Sequence, residues 1–183
     1  MSTSAPIIIE ASDFRAVFEH SGDRWSHRIE MKWGDRWVEI LRSIEGGTED
    51  AWPPSPPLQE ANATWIESDR NTGRVALLVG CAGGSHWSVA VEAVPFEPAA
   101  APTLTFDVAC RTKNSPVALL STYRICVEHG DFRLQPLTCK AAGVCEAANV
   151  ERSAREITVR ANPSLLSTFP ATYLWRYAFW RDR

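Results

Sequence analysis

The stretch from Arg74 to Val94, RVALLVGCAGGSHWSVAVEAV, fits little except two β-strands joined by a glycine-rich turn. Val75, Leu77 and Val79 alternate with Ala76 and Leu78, so both faces of the first strand are apolar, and it is expected mid-sheet and covered on both sides. Trp87, Val89 and Val91 alternate with Ser88, Ala90 and Glu92, the period of a strand with one face inward. Between them, Gly80 to His86 reads as a loop carrying Cys81, Ser85 and His86. A nucleophile with an adjacent base is the first chemistry to test there. Ser85 and His86 are sequence neighbours, however, and neighbours in an extended segment point to opposite faces. The favoured reading is a structural turn, with His86 beside Trp87 as a ligand contact. No catalytic residue is assigned.

The same period recurs along the chain. Trp25, His27, Ile29, Met31 and Trp33 share one face, and Gly34-Asp35 is a two-residue hairpin turn. Counting outward from that turn sets Trp33 against Arg36, Met31 against Val38, Glu30 against Glu39, Ile29 against Ile40 and His27 against Arg42. Glu30 and Glu39 would repel unless Arg28 or Lys32 lies close. His27 and Arg42 would interrupt an apolar face, so they are expected either to meet an internal acid such as Asp107 or Glu92 or to line a polar pocket.

Further strands are expected from Phe14, from Leu104 to Cys110, from Leu119, at Ile157 to Val159 and, with least support, from Leu58 to Ile66. The last strand places Tyr173, Trp175, Tyr177 and Phe179 on one face, the inner face of a sandwich or, if exposed, a binding stripe. His129-Gly130-Asp131 reads as the start of a second hairpin into Phe132 and Leu134. Helical structure is expected at most as one or two short turns, within Cys145 to Glu156, which could equally form a hairpin, and at Asn162-Pro163-Ser164. About ten short strands with no strand-helix alternation predict an all-β fold, an antiparallel β-sandwich. Residues 1–183 fit a single domain, with 1–11 a flexible or edge segment and 46–57 a proline-rich loop.

Composition narrows the function classes. A net charge of −3 without a basic cluster argues against nucleic acid, and the N-terminal segment MSTSAPIIIE lacks both a leader's early positive charge and a membrane-length apolar run. A cytoplasmic protein with free thiols is the expectation for its five cysteines, and neither a metal site nor a cofactor motif is found. Tryptophan, at eight residues, is the one compositional excess. It favours a non-catalytic ligand-binding module, with carbohydrate as the suggested ligand, through His86, Trp87, His27, Arg42, Trp175 and Tyr177. The alternative enzyme would modify a sugar, in the manner of an epimerase, through strand-end His20, His86 or His129 with Glu92 or Glu128. A third reading is a structural or interaction subunit that offers Trp52, Pro53, Pro54, Pro56 and Pro57 to a protein partner.

Overall fold

The structure, a computed structural model, describes residues 5–68, 71–95, 102–127, 132–138, 148–162 and 168–181. Thirteen strands are formed, and no helix occurs among the described residues. One sheet has seven strands in the order β1 (Ile7–Ala11), β2 (Phe14–Ser21), β3 (Arg24–Trp33), β4 (Arg36–Ser43), β9 (Leu120–Ile125), β12 (Glu156–Ala161) and β11 (Ala148–Arg152). The other has six, in the order β10 (Arg133–Leu137), β13 (Ala171–Trp180), β8 (Thr103–Thr112), β7 (Ser85–Val94), β6 (Asn71–Ala82) and β5 (Glu60–Ser68). All pairings are antiparallel. This is the sandwich-like all-β fold that the alternation predicts, with more strands than expected.

A single apolar cluster fills the space between the sheets, drawing Ile9, Phe18, Ile29 and Met31 from the first and Val91, Phe106, Trp175 and Tyr177 from the second. The terminal aromatic stripe is therefore core: Tyr173, Trp175, Tyr177 and Phe179 are all buried. Trp87 stands edge-on to Trp175, with ring centroids 6.0 Å apart. Stripe and fold agree because large rings bury the most apolar area per residue.

The structure decides between open alternatives and corrects other expectations. Ala148–Arg152 is a strand paired with β12, so the segment 145–156 forms a hairpin where it is described, and residues 145–147 lie outside the described residues. Val150 packs on the core from that strand, which overrides its helical neighbours. The second hairpin is not formed either. β9 and β10 lie in different sheets, so the chain crosses between layers there, and His129 and Glu128 fall outside the described residues. The turn expected at 162–164 also lies largely outside them.

The first hairpin keeps its predicted register from Trp33↔Arg36 to Glu30↔Glu39 and then slips by one residue at a bulge. Ile29 faces Leu41 and Arg28 faces Arg42. His27 and Arg42 are thus separated: His27 is buried between the sheets, while Arg42 is exposed and paired with Glu39. A bulge re-aims every later side chain, which turn counting cannot foresee. The acids proposed for His27 lie elsewhere, because Asp107 and Glu92 both approach Arg176 on the outer face of the second sheet. Glu30 and Glu39 tolerate their opposition as anticipated, with Arg28 Nε 2.6 Å from Glu30 and 4.0 Å from Glu39.

The proline-rich loop is seated in the fold. Pro53, Pro56, Pro57 and Leu58 are buried, and Trp52 stands edge-on to Trp87. Its backbone is tied down by Trp25 N–H donating to Leu58 O at 2.6 Å and Gln59 N–H to Val79 O at 2.8 Å. The buried prolines leave no continuous polyproline face for a partner's groove. The loop instead caps the end of β6 where Gly80 sits.

Candidate functional site

The outer face of the second sheet carries rows of side chains that cross the strands. One row is Val79, Ser88, Ala109 and Leu174, and the next is Leu77, Ala90, Asp107 and Arg176. Leu77 and Val79 are 44% and 45% exposed, so the expected cover on this side of β6 is absent there. The period-two pattern correctly marked both faces apolar, yet only the inner one is packed. Together these residues floor an open groove of about 570 Å³. Exposed aliphatics grouped on an interior strand are a recognised mark of a binding surface. Along one side of the groove, Arg176 Nε lies 3.0 Å from Asp107 Oδ1 and a second guanidinium nitrogen 3.8 Å from Glu92 Oε1. Burial pushes the Asp107 carboxyl above its ordinary range, with Arg176 opposing the shift and Glu92 adding to it.

The groove continues into a recess of about 430 Å³ beyond Val79 and Ser88. Cys81, His86, Arg111 and Thr172 form the row there, each on its own strand and each directly opposite the next. The cause is a turn of two residues: Gly83 and Gly84 both take positive φ, at 55° and 75°, as a tight primed hairpin turn requires. The expected loop is therefore mostly strand. Ser85 is buried while His86 is exposed, as alternation demands, and Cys81 is brought across from His86 with Sγ 3.3 Å from Nδ1. Gln59 holds the Cys81 backbone, accepting from its N–H at 2.9 Å and donating to its carbonyl at 3.2 Å. Arg111 is exposed and has no ion-pair partner among the described residues.

No protein-family model, curated protein or solved structure matches this chain. The side chains themselves carry the functional reading.

The six candidate residues from the sequence are scattered. His86 lines the recess, and Trp87 underlies it with its ring buried in the core. Trp175 and Tyr177 are core residues, and Arg42 lies on the outer side of the first sheet. His27 joins a buried polar chain: its Nε2 is 3.0 Å from Tyr123 OH, which is 2.7 Å from Tyr177 OH. Its Nδ1 has no hydrogen-bond partner among the described residues, and burial among Phe18, Phe106 and Tyr123 pushes the imidazole down to about 3, so it is neutral. The His27 backbone N–H donates to Ser43 Oγ at 2.9 Å, and Ser43 Oγ in turn donates to Glu45. Burial pushes the Glu45 carboxyl up to about 7, while Ser43 and Arg24 pull the other way. This is a structural network in which desolvation keeps the His27 imidazole neutral and makes the Glu45 carboxyl hard to ionise.

Of the strand-end histidines, His20 packs edge-on to Trp25, and His86 meets the Cys81 thiol in a recess lined also by Arg111 and the carboxylate-bearing Glu60. Among the described residues, no group of three or more His, Cys, Asp or Glu side chains could hold a metal ion. Cys81, Cys110 and Cys126 are free thiols, and Cys139 and Cys145 lie outside the described residues. No described helix is long and apolar enough to cross a membrane. Sequence reasoning missed Arg111, Leu77, Val79 and Leu174 as site residues. The Cys81–His86 pairing was within reach, since a two-residue turn at Gly83-Gly84 places residue 81 opposite 86 by counting alone.

Proposed function

We propose that this protein is a non-catalytic binding module whose ligand lies along the outer face of the second sheet. The carrying observation is the exposure of Leu77 and Val79 on the floor of a groove that ends at Arg111, which has no ion-pair partner among the described residues. A ligand matching this surface has an elongated apolar body and a terminal anionic group. The body covers Leu77, Val79, Ala90, Ala109 and Leu174, and the anion meets Arg111 beside His86.

Straight-chain carboxylates of eight to twelve carbons are suitable probes by isothermal titration calorimetry. Affinity is expected to rise by up to about fourfold for each methylene buried, the equivalent of about 0.8 kcal/mol. The double variant Leu77→Lys, Leu174→Glu should weaken binding at least tenfold while leaving the thermal transition near that of the wild type, because both side chains lie on the outer face. Absence of binding at every chain length, or equal binding by the variant, would reject the assignment.

A second reading, carbohydrate binding, is favoured by Trp65. Half of the eight tryptophans, Trp25, Trp87, Trp175 and Trp180, are buried and offer no sugar platform. Trp65 is 75% exposed and walls a recess of about 450 Å³ together with Glu10 and Arg74. An exposed indole beside charged hydrogen-bonding groups suits a sugar ring. Saccharide-induced fluorescence changes that disappear in Trp65→Ala are the expected sign, and an unresponsive wild type across a glycan panel would discard this reading.

A further inference from the structure

We infer that Cys81 is a thiol-exchange site that captures an anionic low-molecular-weight disulfide, with His86 as its proton acceptor and Arg111 as the residue that positions the incoming carboxylate. This inference does not rest on the apolar groove being occupied. It rests on three features of the recess. The Cys81 thiol is exposed and lies 3.3 Å from His86 Nδ1, within reach for proton transfer. The pair is held in register by the tight Gly83-Gly84 turn and by the two backbone hydrogen bonds from Gln59, so the thiol sits on a braced strand end. Arg111 is directly opposite His86 on the next strand and lines the same recess. Two strand spacings, roughly 10 Å, separate the thiol's strand from that of the guanidinium, which suits a disulfide whose carboxylate lies several bonds from its sulfur.

The other thiols lack this arrangement. Cys110 faces the core and is buried, while Cys126 is exposed but points at the carboxylate of Glu39, 3.3 Å away. A neighbouring anion opposes thiolate formation, so Cys126 serves as an internal comparison: an exposed thiol that faces a carboxylate, where Cys81 faces an imidazole in a recess lined by both Arg111 and Glu60.

The exchange balances without any further oxidant. The Cys81 thiol gives its proton to His86 Nδ1, and the thiolate attacks one sulfur of the disulfide. The S–S bond of the small molecule breaks as the new Cys81 S–S bond forms. The departing thiolate carries away the bonding pair and takes the proton from the imidazolium. Cys81 is oxidised to a mixed disulfide, and one half of the small molecule leaves reduced as a thiol.

The test uses the full chain, with glutathione disulfide as the anionic probe and bis(2-hydroxyethyl) disulfide as the neutral one. Time courses are followed by intact mass and by mapping the Cys81 and Cys126 peptides. Cys81 is expected to be captured roughly tenfold faster than Cys126. His86→Gln should slow Cys81 roughly tenfold toward both probes. Arg111→Gln should slow glutathione capture roughly fivefold and leave the neutral disulfide unchanged. All three positions are exposed, and matching thermal transitions establish that the variants are folded. Equal rates at Cys81 and Cys126, or a Cys81 rate untouched by His86→Gln, would overturn the site. Equal effects of Arg111→Gln on both probes would overturn the role given to Arg111.

Discussion

Gly80→Ala is expected to lower stability by about 4 kcal/mol or more, enough to shift the urea midpoint far below that of the wild type. A Cβ at Gly80 would stand 1.6 Å from the Pro57 carbonyl oxygen and 2.7 Å from the carbon bearing it. Both are backbone atoms, so no side-chain rotation relieves the clash. The loop would have to lift away, breaking the Gln59 N–H to Val79 O bond and withdrawing Trp52 from Trp87. Gly84→Ala provides the contrast. Nothing lies within 4 Å of its added Cβ, and only the positive φ of 75° opposes it, at a cost of about 1 to 2 kcal/mol. If Gly80→Ala proved no worse than Gly84→Ala, the proline-rich loop would not be seated on β6. The same variant would also free Gln59 from the Cys81 backbone, so the thiol and the loop are mechanically linked.

Glu45→Gln is expected to stabilise the protein by about 2 to 3 kcal/mol at pH 8 and to have no such effect near pH 4. The Glu45 carboxyl is pushed up to about 7 from an ordinary value of 4.5, mainly by burial, and its Oε2 finds no hydrogen-bond partner among the described residues. Between those two values the folded chain retains a proton that the unfolded chain has released. Stability therefore falls as pH rises from about 4.5 to about 7, then stays level. The neutral amide removes this loss.

His27 acts in the opposite sense. Its imidazole is pushed from 6.5 down to about 3, so the unfolded chain takes up a proton that the folded chain refuses. Its contribution is complete above about 6.5 and is lost as pH falls toward 3. In the wild type the two trends offset one another between about 4.5 and 6.5. In Glu45→Gln the His27 slope should stand alone, with stability declining steadily below pH 6.5. Urea titrations of both proteins from pH 4 to pH 8 test this, and parallel curves would show that Glu45 ionises freely in the folded state.

Local chemistry made much of the fold legible. Period-two alternation marked most of the strands, because successive side chains of an extended backbone point to opposite faces. Gly34-Asp35 specified a turn whose length fixes register, so the Trp33 to Glu30 pairings follow from counting, whereas Gly80 to His86 reads as a loop until the same count is made from Gly83-Gly84. The separation of Ser85 from His86 followed from the same rule.

Tertiary structure decided what depends on distant partners. The bulge opposite Ile29/Glu30 left Ile40 as an extra residue of β4 and turned Arg42 outward, while His27 kept the inward face it shares with Ile29 and Met31, and no local signal announces where one extra residue will be absorbed. Ala148–Arg152 became a strand because β12 was available to pair with it. β9 and β10 joined different sheets, although the turn residues between them resembled those of a hairpin. The same limit applies to Arg74 through Val94. Its pattern by itself determined two strands joined through glycines, and even the apolar character of both faces of β6. Which face would be covered was a matter of packing: the opposing sheet buried Ala76 and Leu78, and Leu77 and Val79 were left open beside Cys81, His86 and Arg111.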